Sequence, residues 1–187
     1  MPNPTPFTNV DVMSQAMVAL GENPITNVNS TDKRVQAMVL QYKPVVYYCL
    51  AMSNWRALTA DADLVRLSGV PVSRWSYAFQ LPNDLLKVIT TWPISNYEIR
   101  NRQLYSNEST CSLTYIRLIE EAYWPAWLTR YVVAELVMRT CRPITGDAPD
   151  DVMRNERDTS LSSAYFNDAQ QQPNQTIDSD DFTTCRN

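Results

Sequence analysis

Trp124-Pro125-Ala126-Trp127-Leu128-Thr129-Arg130-Tyr131-Val132-Val133-Ala134-Glu135-Leu136-Val137-Met138 is the stretch that decides how this chain folds. Pro125 stands where proline is favoured, in the first turn of a helix, because its missing N–H would be unpaired there anyway. From Trp127 to Met138 the residues are apolar on most of the helix circumference, and only Thr129, Arg130, Glu135 and Arg139 break the pattern. Such a helix must be covered on several sides. Other helices of the same domain can supply the cover, or a neighbouring subunit can. The second possibility makes Trp127, Tyr131 and Met138 candidate subunit-interface residues. Pro143 is expected to end this helix, which then spans about 125–142.

Working outward, the first helix (about 8–21) opens on Thr8 and Asp11, a near capping box, with Phe7 and Val12 at the spacing of a hydrophobic staple. Met13, Ala16, Met17 and Leu20 recur at helical spacing, and Gly21 is a natural stop. After a turn-rich loop, a second helical segment is expected over 31–67. Val35, Met38, Val39, Tyr42, Val46, Cys49 and Leu50 form its apolar stripe. Pro44 should kink or split it near Tyr42. Beyond Gly69 the segments become short, rich in β-branched and aromatic residues, and bounded by Pro and Asn. Strands are expected at Tyr77–Gln80, Leu86–Thr91, Tyr97–Gln103 and Cys111–Leu118, with Ser106-Asn107-Glu108-Ser109 as a hairpin turn. This small antiparallel sheet makes an insertion over 73–119. A polar helix follows over 148–171, and 173–187 reads as an acidic arm with isolated Ile177 and Phe182. Extended, the arm can reach on the order of 50 Å. The expected fold is α+β, mainly α: a helical bundle with an inserted antiparallel sheet and a C-terminal arm.

Composition narrows the function. Of 187 residues, 44% are hydrophobic, enough for a sizeable core. The net charge is −4, and the sixteen Lys and Arg are scattered, so no phosphate-gripping stripe is visible. DNA near such a protein is expected to pass by without being gripped. There is no histidine, so Ser/His/Asp and Cys/His catalysis and most zinc sites have no usual base or ligand. Cys49, Cys111, Cys141 and Cys185 lie far apart, and the three glycines form no phosphate loop. No catalytic, cofactor or metal residues are therefore assigned. The first ten residues lack a basic start and an apolar run, so no secretory signal is expected. No stretch approaches the ~20 apolar residues of a membrane span.

A specific order of features carries a resemblance. Ala19-Leu20-Gly21-Glu22-Asn23-Pro24-Ile25-Thr26 closes the first helix, and Trp55 follows the second. Trp75-Ser76-Tyr77-Ala78-Phe79-Gln80-Leu81-Pro82-Asn83-Asp84-Leu85-Leu86-Lys87-Val88 leads into the sheet. Leu113-Thr114-Tyr115-Ile116, Trp124-Pro125-Ala126-Trp127 and the 164–172 segment complete the run. Together, over residues 8 to 172, they resemble the tail tubular protein A family, the head-to-tail adaptors of short-tailed bacteriophages. Two features depart from that family's pattern: Trp55 is followed by Arg56-Ala57-Leu58, without a nearby aromatic, and Pro44 lies within the second helix. The resemblance implies a virion protein of the neck, assembled in the host cytoplasm as a homo-oligomeric ring commonly of twelve subunits. The ring would dock on the portal protein, seat the tail nozzle protein and let DNA pass. By the same resemblance the arm, with Ile177 and Phe182, reaches toward the portal.

Several motifs have plainer readings. Pro82 should end a strand while Asp84 fixes the turn by bonding backbone N–H groups. Trp75, Trp92, Trp124 and Trp127 are either interface anchors or core. Glu120-Glu121 invites comparison with the paired carboxylates of glycosidases, and a peptidoglycan-degrading tail enzyme is the alternative function. Adjacent residues do not face one substrate, so a solvated edge is the expected role. Asp178, Asp180 and Asp181 lack the glycine and terminal Glu of a calcium loop.

Overall fold

Thr8 starts the first helix as its spacing with Asp11 requires. In the computed structural model, which describes residues 7–69, 71 and 74–171, the Thr8 backbone N–H and hydroxyl donate to Asp11 Oδ2 at 2.8 and 2.7 Å. Helix α1 (Asn9–Ala19) ends in a Schellman motif. Glu22 N–H bonds the Met17 carbonyl and Gly21 N–H the Val18 carbonyl, with Gly21 at φ +80°. Ser14 then holds the departing chain by bonding both backbone groups of Ile25, which is buried.

Helix α2 spans Lys33–Met52, with Asp32 capping it through Arg34 N–H at 2.9 Å. It runs through Pro44 as one element. Pro44 deprives the Leu40 carbonyl of its partner, but both residues lie on the exposed face, where water can replace the bond. The expected span of 31–67 is corrected at its far end. Ser53 turns to extended geometry and the Trp55 indole donates to the Cys49 carbonyl at 2.9 Å, satisfying an end-of-helix acceptor with a side chain. A 3₁₀ turn (Arg56–Leu58) follows, and then the chain is already strand: β1 (Thr59–Asp63) and β2 (Val65–Arg66). Polar alternation in 59–63 reflects this. Asp63 accepts from Ser112 at 2.7 Å across the sheet.

Two antiparallel sheets form, where one was expected. The remaining strands are β3 (Tyr77–Gln80), β4 (Leu85–Trp92), β5 (Tyr97–Arg100), β6 (Gln103–Ser106) and β7 (Ser112–Arg117). One sheet has the order β1-β7-β4, the other β2-β3-β6-β5. The single strand expected over 97–103 is a hairpin instead. Asn101 and Arg102 take φ +48° and +61°, the paired positive angles of a two-residue hairpin turn. The hairpin expected at 106–109 is a crossover, because β6 and β7 belong to different sheets. The three-stranded sheet is the middle layer. Its Leu113, Tyr115, Leu85 and Val88 pack with Phe79 and Leu104 of the other sheet, while Ile116, Leu86 and Ile89 pack against the helices. Asp84 secures the entry to β4 differently from expectation: its carboxylate accepts from Tyr115 Oη at 3.1 Å, and its carbonyl accepts from Leu118 N–H.

A second 3₁₀ turn (Glu121–Tyr123) leads to α3 (Ala126–Thr145), and α4 (Asp151–Ala169) follows, capped by Asp150. Helix α3 is the centre of the bundle, flanked by α1, α2 and α4. The cover its apolar circumference demands thus comes from its own chain. It also outlasts Pro143, against expectation, ending at Gly146 with φ +88°. The carbonyl that Pro143 leaves unpaired belongs to Arg139, again on an exposed side. Near the C-terminus of α4, the buried Asp168 carboxylate accepts from the Arg56 and Ala57 N–H groups at 3.0 and 3.3 Å. Arg56 in turn donates to the Ala169 carbonyl. The last turn of α4 is thereby pinned to the turn after α2.

Candidate functional site

The residues expected at a subunit interface are mostly used within the chain. Tyr131 is buried at 1% exposure and donates to Met52 Sδ at 2.9 Å, so within the chain it packs against α2. Trp127 is half-buried with its ring 5.5 Å from that of Trp55, and Met138 is half-buried. Trp75 and Trp124 are buried, whereas Trp92 is 70% exposed. Ile177, Phe182 and the acidic arm lie outside the described residues.

Exposed apolar residues fall in separate groups. The outward face of α2 carries exposed Leu40 (73%), Pro44 and Tyr47 and half-buried Ala51 at the i, i+4, i+7, i+11 spacing of one helix stripe, with Tyr48 alongside. Lys43 lies over the Tyr47 ring and the Arg139 guanidinium over that of Tyr48, so the stripe is edged by cations. Reading the sequence for one apolar face missed this second one. The signal was present in the spacing of residues 40, 44, 47 and 51. At the far end of the molecule, Trp92 and Ile94 (80% exposed) project from the β4–β5 connection. There the edge strand β5 adds Tyr97 and Ile99, aligned with Leu104 and Phe79 on one sheet face. A groove of about 270 Å³ between α1, α3 and α4 is also apolar, lined by exposed Ala19 and Val152, half-buried Val133 and Met153 and buried Ala134 and Val137.

A cleft of about 410 Å³ brings Glu120 and Glu121 beside Tyr42 and Lys43. The two carboxylates do not act alike. Glu120 is exposed, whereas Glu121 accepts from Tyr42 Oη at 2.7 Å, so the solvated edge expected for both is corrected for Glu121. Burial, and then the Glu121 carboxylate, push the Tyr42 phenol well above its ordinary value. Among the described residues no group of three or more His, Cys, Asp and Glu could hold a metal ion. No helix of the described residues is long and apolar enough to cross a membrane.

Deeper in the bundle, burial and the nearby Glu135 carboxylate push the Cys49 thiol up to about 12. Glu135 is itself buried and bonded to Arg139 Nε at 2.9 Å. A thiol raised in this way stays protonated in the folded chain after the unfolded chain has released its proton. Its contribution is therefore complete below pH 9 and is lost as pH rises from 9 toward 12. The urea midpoint is expected to fall steadily across that window. Cys49 should resist thiol reagents at pH 8 until the protein unfolds; rapid modification of the folded protein would contradict this.

No family model matches the chain, and no curated protein matches it either.

Proposed function

We propose that this chain is the structural subunit of a head-to-tail adaptor in a short-tailed bacteriophage. In this reading it forms a homo-oligomeric ring below the portal, joins the capsid vertex to the tail nozzle and lets DNA pass. The resemblance of residues 8 to 172 supplies the family, its ring of twelve, its partners and its place in the virion neck. The observation that best supports an assembly role is the distribution of exposed apolar surface. The α2 stripe and the Trp92–Ile94 tip are unlike exposed patches on separate parts of one small molecule, and the α1/α3/α4 groove adds a recessed apolar surface. Patches of that kind mark protein contacts. A subunit that must meet two sister copies and a partner above or below needs several of them. The net charge of −4 suits a wall that DNA passes without adhering.

The assembly mass tests this reading. Native mass spectrometry of the full chain, alone and with the portal protein, is expected to show a closed multimer bound to the portal. A strictly monomeric species in the presence of portal would refute it.

A further inference from the structure

Pro2, Pro4 and Pro6 precede the first described residue, Phe7, and Phe7 stands at one end of an apolar trough between α1, α3 and α4. We infer that residues 1–6 of the same chain lie along that trough as an N-terminal strap. The inference does not depend on the ring reading. It leaves the α2 stripe and the Trp92–Ile94 tip as the apolar surfaces open to other chains.

The trough begins where the described chain begins. A depression of about 440 Å³, lined by Phe7, Trp124, Ala126 and Thr129, shares Arg130 and Val133 with the groove of about 270 Å³ and continues into it. Helix α1 runs beside both, with Gln15 on the depression and Ala19 on the groove. Phe7 packs on the helical core from the position before the Thr8 cap, where a side chain fixes the angle at which the chain enters the helix. From Ala126 to Val137 the trough follows about 16 Å of α3. Six residues in polyproline geometry, at about 3.1 Å each, span about 19 Å. The segment that ends at Phe7 is therefore long enough to reach the trough's far end.

Its composition suits an apolar surface without spare charge. Residues 1–6 carry no charged side chain. The charged side chains along the trough are already engaged, since Arg130 donates to Glu156 at 3.0 and 2.8 Å and Glu121 accepts from Tyr42. Each of the six residues is a proline or directly precedes one. Proline fixes its own φ and pushes the residue before it toward extended backbone, so the pattern favours polyproline geometry in advance of docking. Little conformational entropy is then left to lose. Three of the six also lack a backbone N–H, and so bring no donor to be stranded against Val133, Val137 and Met153. Proline-rich segments dock in aromatic-lined grooves for these reasons, and Trp124 supplies an aromatic wall.

Disulfide trapping tests the strap. Cys49, Cys111 and Cys141 are buried, and Cys185→Ser removes the remaining thiol. In that background Asn3→Cys is combined with Ala19→Cys, exposed at the far end of the trough, or with Tyr123→Cys, exposed beside Trp124 but outside the lining. Position 123 stands at the Phe7 end, so a loose segment would meet it at least as readily as position 19. Full chains are oxidised in dilute solution, with circular dichroism reporting the fold of each. An intrachain disulfide is expected to form about tenfold faster at 19 than at 123, as a raised effective concentration requires. Equal or faster trapping at 123 would overturn the strap. So would disulfides that form only between chains, because another copy's segment would then occupy the trough.

Discussion

Replacing Trp55 by alanine is expected to destabilise the fold by about 3–5 kcal/mol, the largest effect of any single truncation in the bundle. Trp55 is completely buried. Its ring lies 5.1 Å from Tyr165 in a stacked pair, 5.5 Å from Trp127 and 6.4 Å from Tyr131, so it touches the aromatic side of α3 and the end of α4 at once. Truncation empties that space and also orphans the Cys49 carbonyl that the indole satisfies. For a chain of this size the melting temperature should fall by roughly 10 °C. Trp55→Phe separates the two causes. It keeps most of the ring packing and removes the donor, so a loss of about 1–3 kcal/mol is expected. Chemical denaturation of both variants measures this. A loss below about 1 kcal/mol for alanine would mean the cluster re-collapses around the gap.

The second large effect lies at the other end. Phe79→Ala removes the largest fully buried side chain of the sheet cluster and is expected to cost about 3–5 kcal/mol. The loss should be felt by the helices too. Strand β7 puts Leu113 and Tyr115 into the sheet cluster and Ile116 into the helical one, and β4 likewise serves both. A layer shared in this way makes the two clusters one cooperative unit. Far-UV circular dichroism of the helices and hydrogen exchange in β6 should therefore report the same loss. Faster exchange in β6 with unchanged helix melting would show that the sheets open on their own.

Much of the fold was legible where a local signal had no competitor. The Thr8–Asp11 box, the Gly21 stop, the strand at Tyr77–Gln80 and the start of α3 behind Pro125 follow from capping geometry and short-range sterics, which act within a few residues. The errors share a cause. Ending helices by proline failed at Pro143, because the lost hydrogen bond fell on a solvated face that the linear sequence does not mark. Extending the second helix to 67 failed because Trp55 caps Cys49 from six residues away, and 59–63 is recruited by a strand more than fifty residues later. The segment 97–103 read as one strand because its alternation is continuous; the turn at Asn101-Arg102 needs two positive φ angles that neither residue advertises as glycine would.

The candidate surfaces divide along the same line. From its own residues the chain determined that α3 would be apolar nearly all round, that no histidine chemistry was on offer and that α2 carried apolar residues at two spacings. Which cover α3 would find was a tertiary matter. The bundle wraps it with α1, α2 and α4, burying Tyr131 inside and turning the outer α2 stripe to solvent. The physical reason is that periodicity records how apolar a face is, while only packing decides whether that face is met by the same chain or left for another.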